Sequence, residues 1–270
     1  PNEIGLEIGL VLSRFFFNTE HLHFGFWPDD LSVNIDNLEK AQDLHSNQIL
    51  NSIPGDVKTI LDVGSGSGGL AEKLVGKGYK VECVSPSDYL SDTIEEKLKS
   101  SVVVHRSTFE KFESQKEYDL VLFSESFQYV NINKTLEKLP GIIKDKGHLL
   151  ICDFFRKPGT GTKPLGGGHD WQVFQNNLGD HDFTIVEDID ITKETARTYD
   201  LINQILNEVA GPVRDLSARY LDSHYPKGMR LLKWYFDKKI RRINRIYFSG
   251  NMTGEMFNKL KTYRILLYQV

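Results

Sequence analysis

From Lys58 to about residue 190 short apolar runs alternate with longer amphipathic stretches, which predicts strands over 58–63, 80–85, 101–105, 118–123, 147–153 and 182–189 with helices between them. Ahead of this block, Ile4, Ile8, Val11, Leu12 and Phe15 recur at helical spacing. A second helix is expected to begin at Asp36-Asn-Leu-Glu39, which has capping-box form, and to stop at Pro54-Gly55. After residue 190 the strand signal disappears for about seventy residues; Leu201, Ile202, Ile205, Leu206 and Val209 mark an amphipathic helix, and Gly211-Pro212 and Pro226-Lys-Gly228 punctuate further helices. Tyr263-Arg-Ile-Leu-Leu-Tyr268 reads as a seventh strand.

That order predicts an α/β fold with a doubly wound, mostly parallel, seven-stranded sheet. Because the chain returns to the sheet at its end, residues 1–270 read as one domain. It divides into an N-terminal helical cap (1–55), a core (56–190), a helical insertion expected to act as a lid (191–260) and a final strand (261–270).

With 40% apolar and 11% aromatic residues the chain can fill a packed core. Its formal charge of −4 offers no overall attraction to a polyanion, so a nucleic-acid partner would have to be held by a local patch. No run of 18 apolar residues occurs, and the first residues lack the basic start and small-residue cleavage site of a secretory signal, so a cytoplasmic protein without a membrane span is expected. Two cysteines, Cys83 and Cys152, without clustered histidines make no case for a metal. The oligomeric state is left open.

Chemistry enters at Thr59-Ile-Leu-Asp-Val-Gly-Ser-Gly-Ser-Gly-Gly-Leu70, where a buried-strand pattern stops at glycines and a helix follows. Glycine is required where a side chain would clash with a ligand or forbid the dihedrals. Gly64, Gly66 and Gly69 satisfy the dinucleotide fingerprint G-x-G-x-x-G. A dinucleotide site should also place an acid at the end of the second strand, yet Lys80-Val-Glu-Cys-Val-Ser85 runs into Pro86-Ser87 with no acid until Asp88. Asp62, two residues before the first glycine, gives Leu-Asp-Val-Gly-Ser-Gly-Ser-Gly, which resembles the first motif of class I S-adenosylmethionine-dependent methyltransferases.

Two further segments sharpen the resemblance. His21-Leu-His-Phe-Gly-Phe-Trp27 and Ser124-Glu-Ser-Phe-Gln-Tyr-Val130 are similar to elements of the branch that methylates tocopherols, sterols and natural-product sugars. The resemblance implies a Rossmann-like methyltransferase fold, S-adenosyl-L-methionine as cofactor with S-adenosyl-L-homocysteine as product, and a small-molecule acceptor. In that strand order two strands separate Cys83 from Cys152, too far for a disulfide.

Ligands of open parallel sheets bind beyond the carboxyl ends of the strands. For the cofactor the resemblance implies Asp62 and the turn Gly64, Ser65, Gly66 and Gly68 after strand one. Ser85, Pro86 and Ser87 follow strand two, although Ser-Pro-Ser-Asp equally suits a helix cap. Thr108 and Phe109 stand where the family usually offers an acid and an amide to the adenine, with Glu110 the nearest acid, and Ser124 and Glu125 follow strand four. Phe24, Phe26 and Trp27 either close over the cofactor or anchor the N-terminal helix.

Gln128 and Tyr129 replace the family's Glu-His pair, so the catalytic candidates are Tyr129, Glu125, His23 and His169. The basic run Lys238–Arg245 suits an anionic acceptor or a solvated helix face. Methyl transfer to oxygen, nitrogen or carbon is the expected reaction. A non-methylating reaction such as a cyclisation, or methylation of RNA or DNA, are the alternatives.

Overall fold

A computed structural model describes residues 3–17, 19–160 and 165–270. Its strands are β1 Thr59–Val63, β2 Lys80–Ser85, β3 Val102–Arg106, β4 Tyr118–Ser124, β5 Ile143–Arg156, the two-residue β6 His169–Asp170, β7 Thr184–Asp190 and β8 Lys261–Gln269. Seven of them form the order β3-β2-β1-β4-β5-β8-β7, with β6 paired to the end of β5. β1 to β5 are mutually parallel, and β8 runs antiparallel to both β5 and β7. The expected mostly parallel, doubly wound sheet is therefore present. β1 and β4 separate the buried thiols Cys83 and Cys152, which are free.

The helices of the core are α1 Glu3–Phe17, α2 Leu38–Asn51, α3 Gly69–Gly76, α4 Asp88–Leu98, α5 Ile132–Lys138 and α6 Trp171–Leu178. Apolar side chains fill both faces of the sheet: Ile60, Leu120, Leu150 and Ile265 on one, Leu61, Val121, Leu149 and Leu266 on the other. Strands covered on both sides read as continuous apolar runs, which is why Leu120-Val-Leu-Phe123 is so clear in the sequence.

Helix starts differ from expectation. Instead of an Asp36–Glu39 capping box, the Asn34 side chain accepts from the Asn37 amide 3.0 Å away and starts a 3₁₀ turn that leads into α2. In α1 the periodicity is right but faces outward: Leu10 is buried, whereas Ile4, Ile8, Val11, Leu12 and Phe15 are exposed.

The insertion consists of α7 Thr192–Ile205, a π-helical turn Leu206–Ala210, α8 Gly211–His224, α9 Pro226–Tyr247 and α10 Gly254–Leu260. Gly211-Pro212 does not break the chain there. Proline sits in the first turn of α8 directly after the π turn, where its missing N–H is tolerated. α7 buries Thr195, Ala196, Thr198 and Leu201, while α9 buries none of its residues. No described helix is long and apolar enough to cross a membrane.

Candidate active site

The carboxyl ends of β1, β2, β4 and β5 gather the residues singled out in the sequence. After β1 the chain turns through Gly64, Gly66 and Gly68 at φ +77°, +56° and +81°, a left-handed conformation that side chains disfavour. Their reasons differ. A Cβ on Gly64 would lie 2.4 Å from the Ser126 Cβ, and one on Gly68 3.1 Å from Ile94 Cγ1, so these two are glycines for packing. A Cβ on Gly66 would meet nothing within 4 Å: the backbone there borders open space. At Gly69, the third glycine of the dinucleotide fingerprint, a Cβ would lie 2.9 Å from the His21 ring, so this glycine serves packing against the N-terminal segment.

Asp62 lies under this turn, buried to 1% exposure, and its Oδ2 has no hydrogen-bond partner. Burial pushes its carboxyl up to about 7, against a weaker opposing pull from Ser65. A buried acceptor without a donor is costly, so a ligand carrying an N–H or O–H group suits the position.

The segment Thr19–Trp27 lies across the site as a strap. Ser67 Oγ donates to the Glu20 carbonyl, the Phe24 amide donates to Glu125 Oε1 (2.7 Å), and Gly25 N–H and Trp27 Nε1–H both donate to Thr198 Oγ1 on α7 (3.1 and 3.0 Å). Trp27 is fully buried and anchors the strap through its bond to Thr198. Phe26 is partly buried against the main core cluster, and Phe24 stacks on Phe154 with ring centres 5.9 Å apart.

Glu125 follows β4 in a left-handed conformation (φ +51°) unusual for a residue with a side chain. Oε1 accepts from both the Phe24 amide and the Tyr263 hydroxyl (2.7 Å each), and no described group donates to Oε2. Burial pushes this carboxyl up to about 7 against those two bonds. Asp153, on β5, is pushed up to about 8 by burial, reinforced by the negative charge of Glu125; it accepts from the amides of Gln128 (3.0 Å) and Phe154 (2.8 Å). Behind them, His45 Nε2 stands 2.9 Å from the Tyr263 hydroxyl. Since that hydroxyl donates to Glu125, the imidazole is the donor in this pair.

The four catalytic candidates separate. His23 is withdrawn: its Nδ1 bonds the Phe24 carbonyl (2.8 Å), its Nε2 faces Ser46 Oγ (3.3 Å), and burial, helped by His21, lowers it to about 3, too weak a base at neutral pH. His169 bonds the Phe127 carbonyl through Nε2 (2.9 Å), leaving Nδ1 as its one basic position, and burial lowers it. Tyr129 is 63% exposed, and a phenol favours donation over proton removal at neutral pH. Glu125, near neutrality with a free oxygen, is the group best matched to taking a proton at pH 7.

At the nucleoside end the placements are mixed. Ser87 caps α4, accepting from the Leu90 amide (3.1 Å) and donating to Glu7 Oε1 (2.9 Å), so its helix-cap reading holds. Ser85 is buried, while Pro86 and Thr108 are exposed. Phe109 is 2% exposed and its ring packs on Phe123 in the core. Glu110 accepts from the Asn131 amide (3.0 Å). Asp153, His45 and Tyr263 escaped the sequence reading. An acid inside the apolar run Leu149-Leu-Ile-Cys-Asp-Phe-Phe155 is the signal by which the first of them could have been found. No group of three or more His, Cys, Asp or Glu among the described residues could hold a metal.

Against known proteins, residues 39–181, just over half of the chain, match the family described as Methyltransferase domain. A ubiquinone biosynthesis O-methyltransferase from Rickettsia bellii is 28% identical over 149 residues, covering 51% of this chain and 60% of that protein, so the match spans about three fifths of the relative's length. Among solved structures, geranyl diphosphate C-methyltransferase from Streptomyces coelicolor A3(2), in complex with Mg2+, geranyl diphosphate and S-adenosyl-L-homocysteine, superposes with TM-score 0.68 at 14% identity, covering 100% of this chain and 97% of that one. The [4+2]-cyclase SpnF superposes with TM-score 0.69 at 14% identity, covering 99% and 95%. At such identity the two structures speak for the fold.

Proposed function

The chain belongs to the methyltransferase domain family, and from that premise we propose that it transfers a methyl group from S-adenosyl-L-methionine to a small organic acceptor by in-line displacement. The observation that carries the reading is the pairing of open space above Gly66 with a buried Asp62 oxygen that has no donor of its own. Backbone at Gly64–Gly68 and the Asp62 carboxylate would hold the cofactor, with Ser85 and Ser124 at the ends of the neighbouring strands. S-adenosyl-L-methionine, when bound, supplies an electrophilic methyl group on a sulfonium sulfur.

The remaining work is done by the protein. Alignment of two reactants in one cleft is worth about 7–11 kcal/mol, and the strap, with Phe24 and Phe26, keeps water away. Where the acceptor is a hydroxyl or carbon acid, Glu125 Oε2 takes its proton, while Tyr129 and the Nδ1 of His169 orient its polar atoms. The aromatic insertion residues, Tyr199 among them, favour an acceptor with apolar surface.

Incubation with S-adenosyl-L-methionine and a metabolite extract, followed by mass spectrometry, tests the proposal. Formation of S-adenosyl-L-homocysteine with one product heavier by a methyl group is expected. Binding of the cofactor with no turnover of it in any extract would turn the reading toward a non-methylating reaction such as cyclisation.

A further inference from the structure

We propose that the α8–α9 hairpin is a docking surface for an anionic lipid bilayer. α9 carries eight Lys and Arg residues against the single acid Asp237, a net +7 on a chain whose total is −4, which leaves −11 for everything else. This one helix thus carries a net positive charge opposite in sign to that of the rest of the chain.

The apolar residues of α9 are ordered as well. At 100° per residue, Leu232, Phe236, Ile240, Ile243 and Tyr247 fall on one side with Tyr235 beside it, while Trp234 lies on the opposite side among Arg230, Arg241 and Arg245; Trp234 and Tyr235 are 76% and 72% exposed. Val213, Leu216 and Tyr220 of α8 are also more than half exposed. Exposed apolar side chains gathered on one hairpin mark an interaction site.

The hairpin is held together by its own polar contacts. Lys233 Nζ donates to Asp222 Oδ1 (2.8 Å), Arg214 Nη1 donates to Asn244 Oδ1 (3.2 Å), and the Arg214 guanidinium lies 4.0 Å from the Phe248 ring centre. Asp222 pairs with Lys233 and Asp237 with Arg241, and Lys238, Lys239, Arg242 and Arg245 have no ion-pair partner among the described residues. A helix with aromatic and aliphatic residues beside unpaired cations fits the headgroup region of an anionic bilayer.

Charge complementarity selects the occupant. A second copy of α9 across a two-fold axis would set +7 against +7. A nucleic acid would satisfy the cations but leave Leu231, Leu232 and Ile243 in water. The hairpin is continuous through the π turn with α7, whose Thr198 and Arg197 hold the strap at Gly25, Trp27 and Pro28. Docking therefore reaches the element that closes the site. The inference is independent of which acceptor is methylated.

The full chain should be sedimented with extruded vesicles of phosphatidylcholine alone, or with about 30 mol% phosphatidylglycerol, at low salt and at about 0.5 M salt. Partition onto the anionic vesicles at least tenfold above the neutral ones, weakened by salt, is expected, with a blue shift of tryptophan emission that Trp234→Ala removes. The triple variant Lys238→Glu, Lys239→Glu, Arg242→Glu should lose at least tenfold in partition while its melting temperature stays near that of the parent, since these side chains are exposed. Equal binding to both vesicles, none to either, or tighter binding to duplex DNA or RNA at matched salt would overturn the proposal. So would an α9-dependent dimer in light scattering.

Discussion

Around β1 the cleft is walled by backbone, in a turn of three left-handed glycines within five residues, whereas around β4, β5 and β8 it is walled by side chains drawn from residues 24, 45, 125, 153 and 263. The first wall has almost nothing to titrate apart from Asp62. The second holds two carboxyls raised toward neutrality beside a buried tyrosine and histidine. A backbone wall recognises by shape and fails by sterics; a side-chain wall works by proton position and responds to pH. The comparison suggests a division of labour in which the glycine side fixes the cofactor and the carboxylate side meets the variable acceptor.

Substitution at Gly66 should break the first wall most completely. Gly66→Leu fills the open space above the turn and is expected to lower S-adenosyl-L-homocysteine affinity by more than about 1,000-fold in calorimetry, while the left-handed strain costs only about 1–2 kcal/mol of stability. Glu125→Gln is the counterpart on the second wall. Turnover should fall about 100-fold, with S-adenosyl-L-homocysteine affinity within about twofold of the parent, if the acceptor must lose a proton. Equal losses of affinity in both variants would erase the division between the walls.

Gly64→Ala sharpens the contrast within the turn itself. Its added carbon would sit 2.4 Å from Ser126 Cβ, so denaturant titration should report a loss of about 2–4 kcal/mol from overpacking and strain, and Ser126→Gly in the same chain should recover part of it.

The smallest effect is on pH dependence. Asp62 and Glu125 have folded-state values of about 7, above their ordinary 3.8 and 4.5, so the folded chain keeps protons that the unfolded chain releases. Their contribution is fully present at low pH and is lost as pH rises through about 7. His23 works in the opposite sense: its folded value of about 3 lies below 6.5, so its stability is lost as pH falls from about 6.5 toward 3. The two trends oppose each other in mild acid and only the carboxyls act above it. Melting temperature should therefore decline between about pH 6.5 and 8, less steeply in Glu125→Gln, and a flat profile would remove the raised carboxyls from the account.

The same contrast explains what could be read from the chain. The turn at Gly64–Gly68 is local, with a strand before it and a helix after it, so its conformation follows from a dozen consecutive residues. Glu125 was visible as an acid directly after Leu120-Val-Leu-Phe123. His45 and Tyr263 were not, because they meet across 218 residues and only the sheet order brings β8 beside β5. Periodicity found α1 but gave no direction to its apolar side, since a stripe of Ile4, Ile8, Val11, Leu12 and Phe15 reads the same whether it faces the core or not. The aromatic ring of Trp27 suits both a pocket and a core, and only the folded chain shows that it packs inside, bonded to Thr198.

On the proposed function, a sulfonium nucleoside binds against the main chain after β1. Crystals of the full chain soaked with S-adenosyl-L-homocysteine test it most directly. The account predicts the amino-acid part of the ligand against Gly64–Gly68 with a donor within hydrogen-bond reach of Asp62 Oδ2; a cleft that stays empty at saturating ligand, or that takes a pyridine dinucleotide in preference, contradicts it.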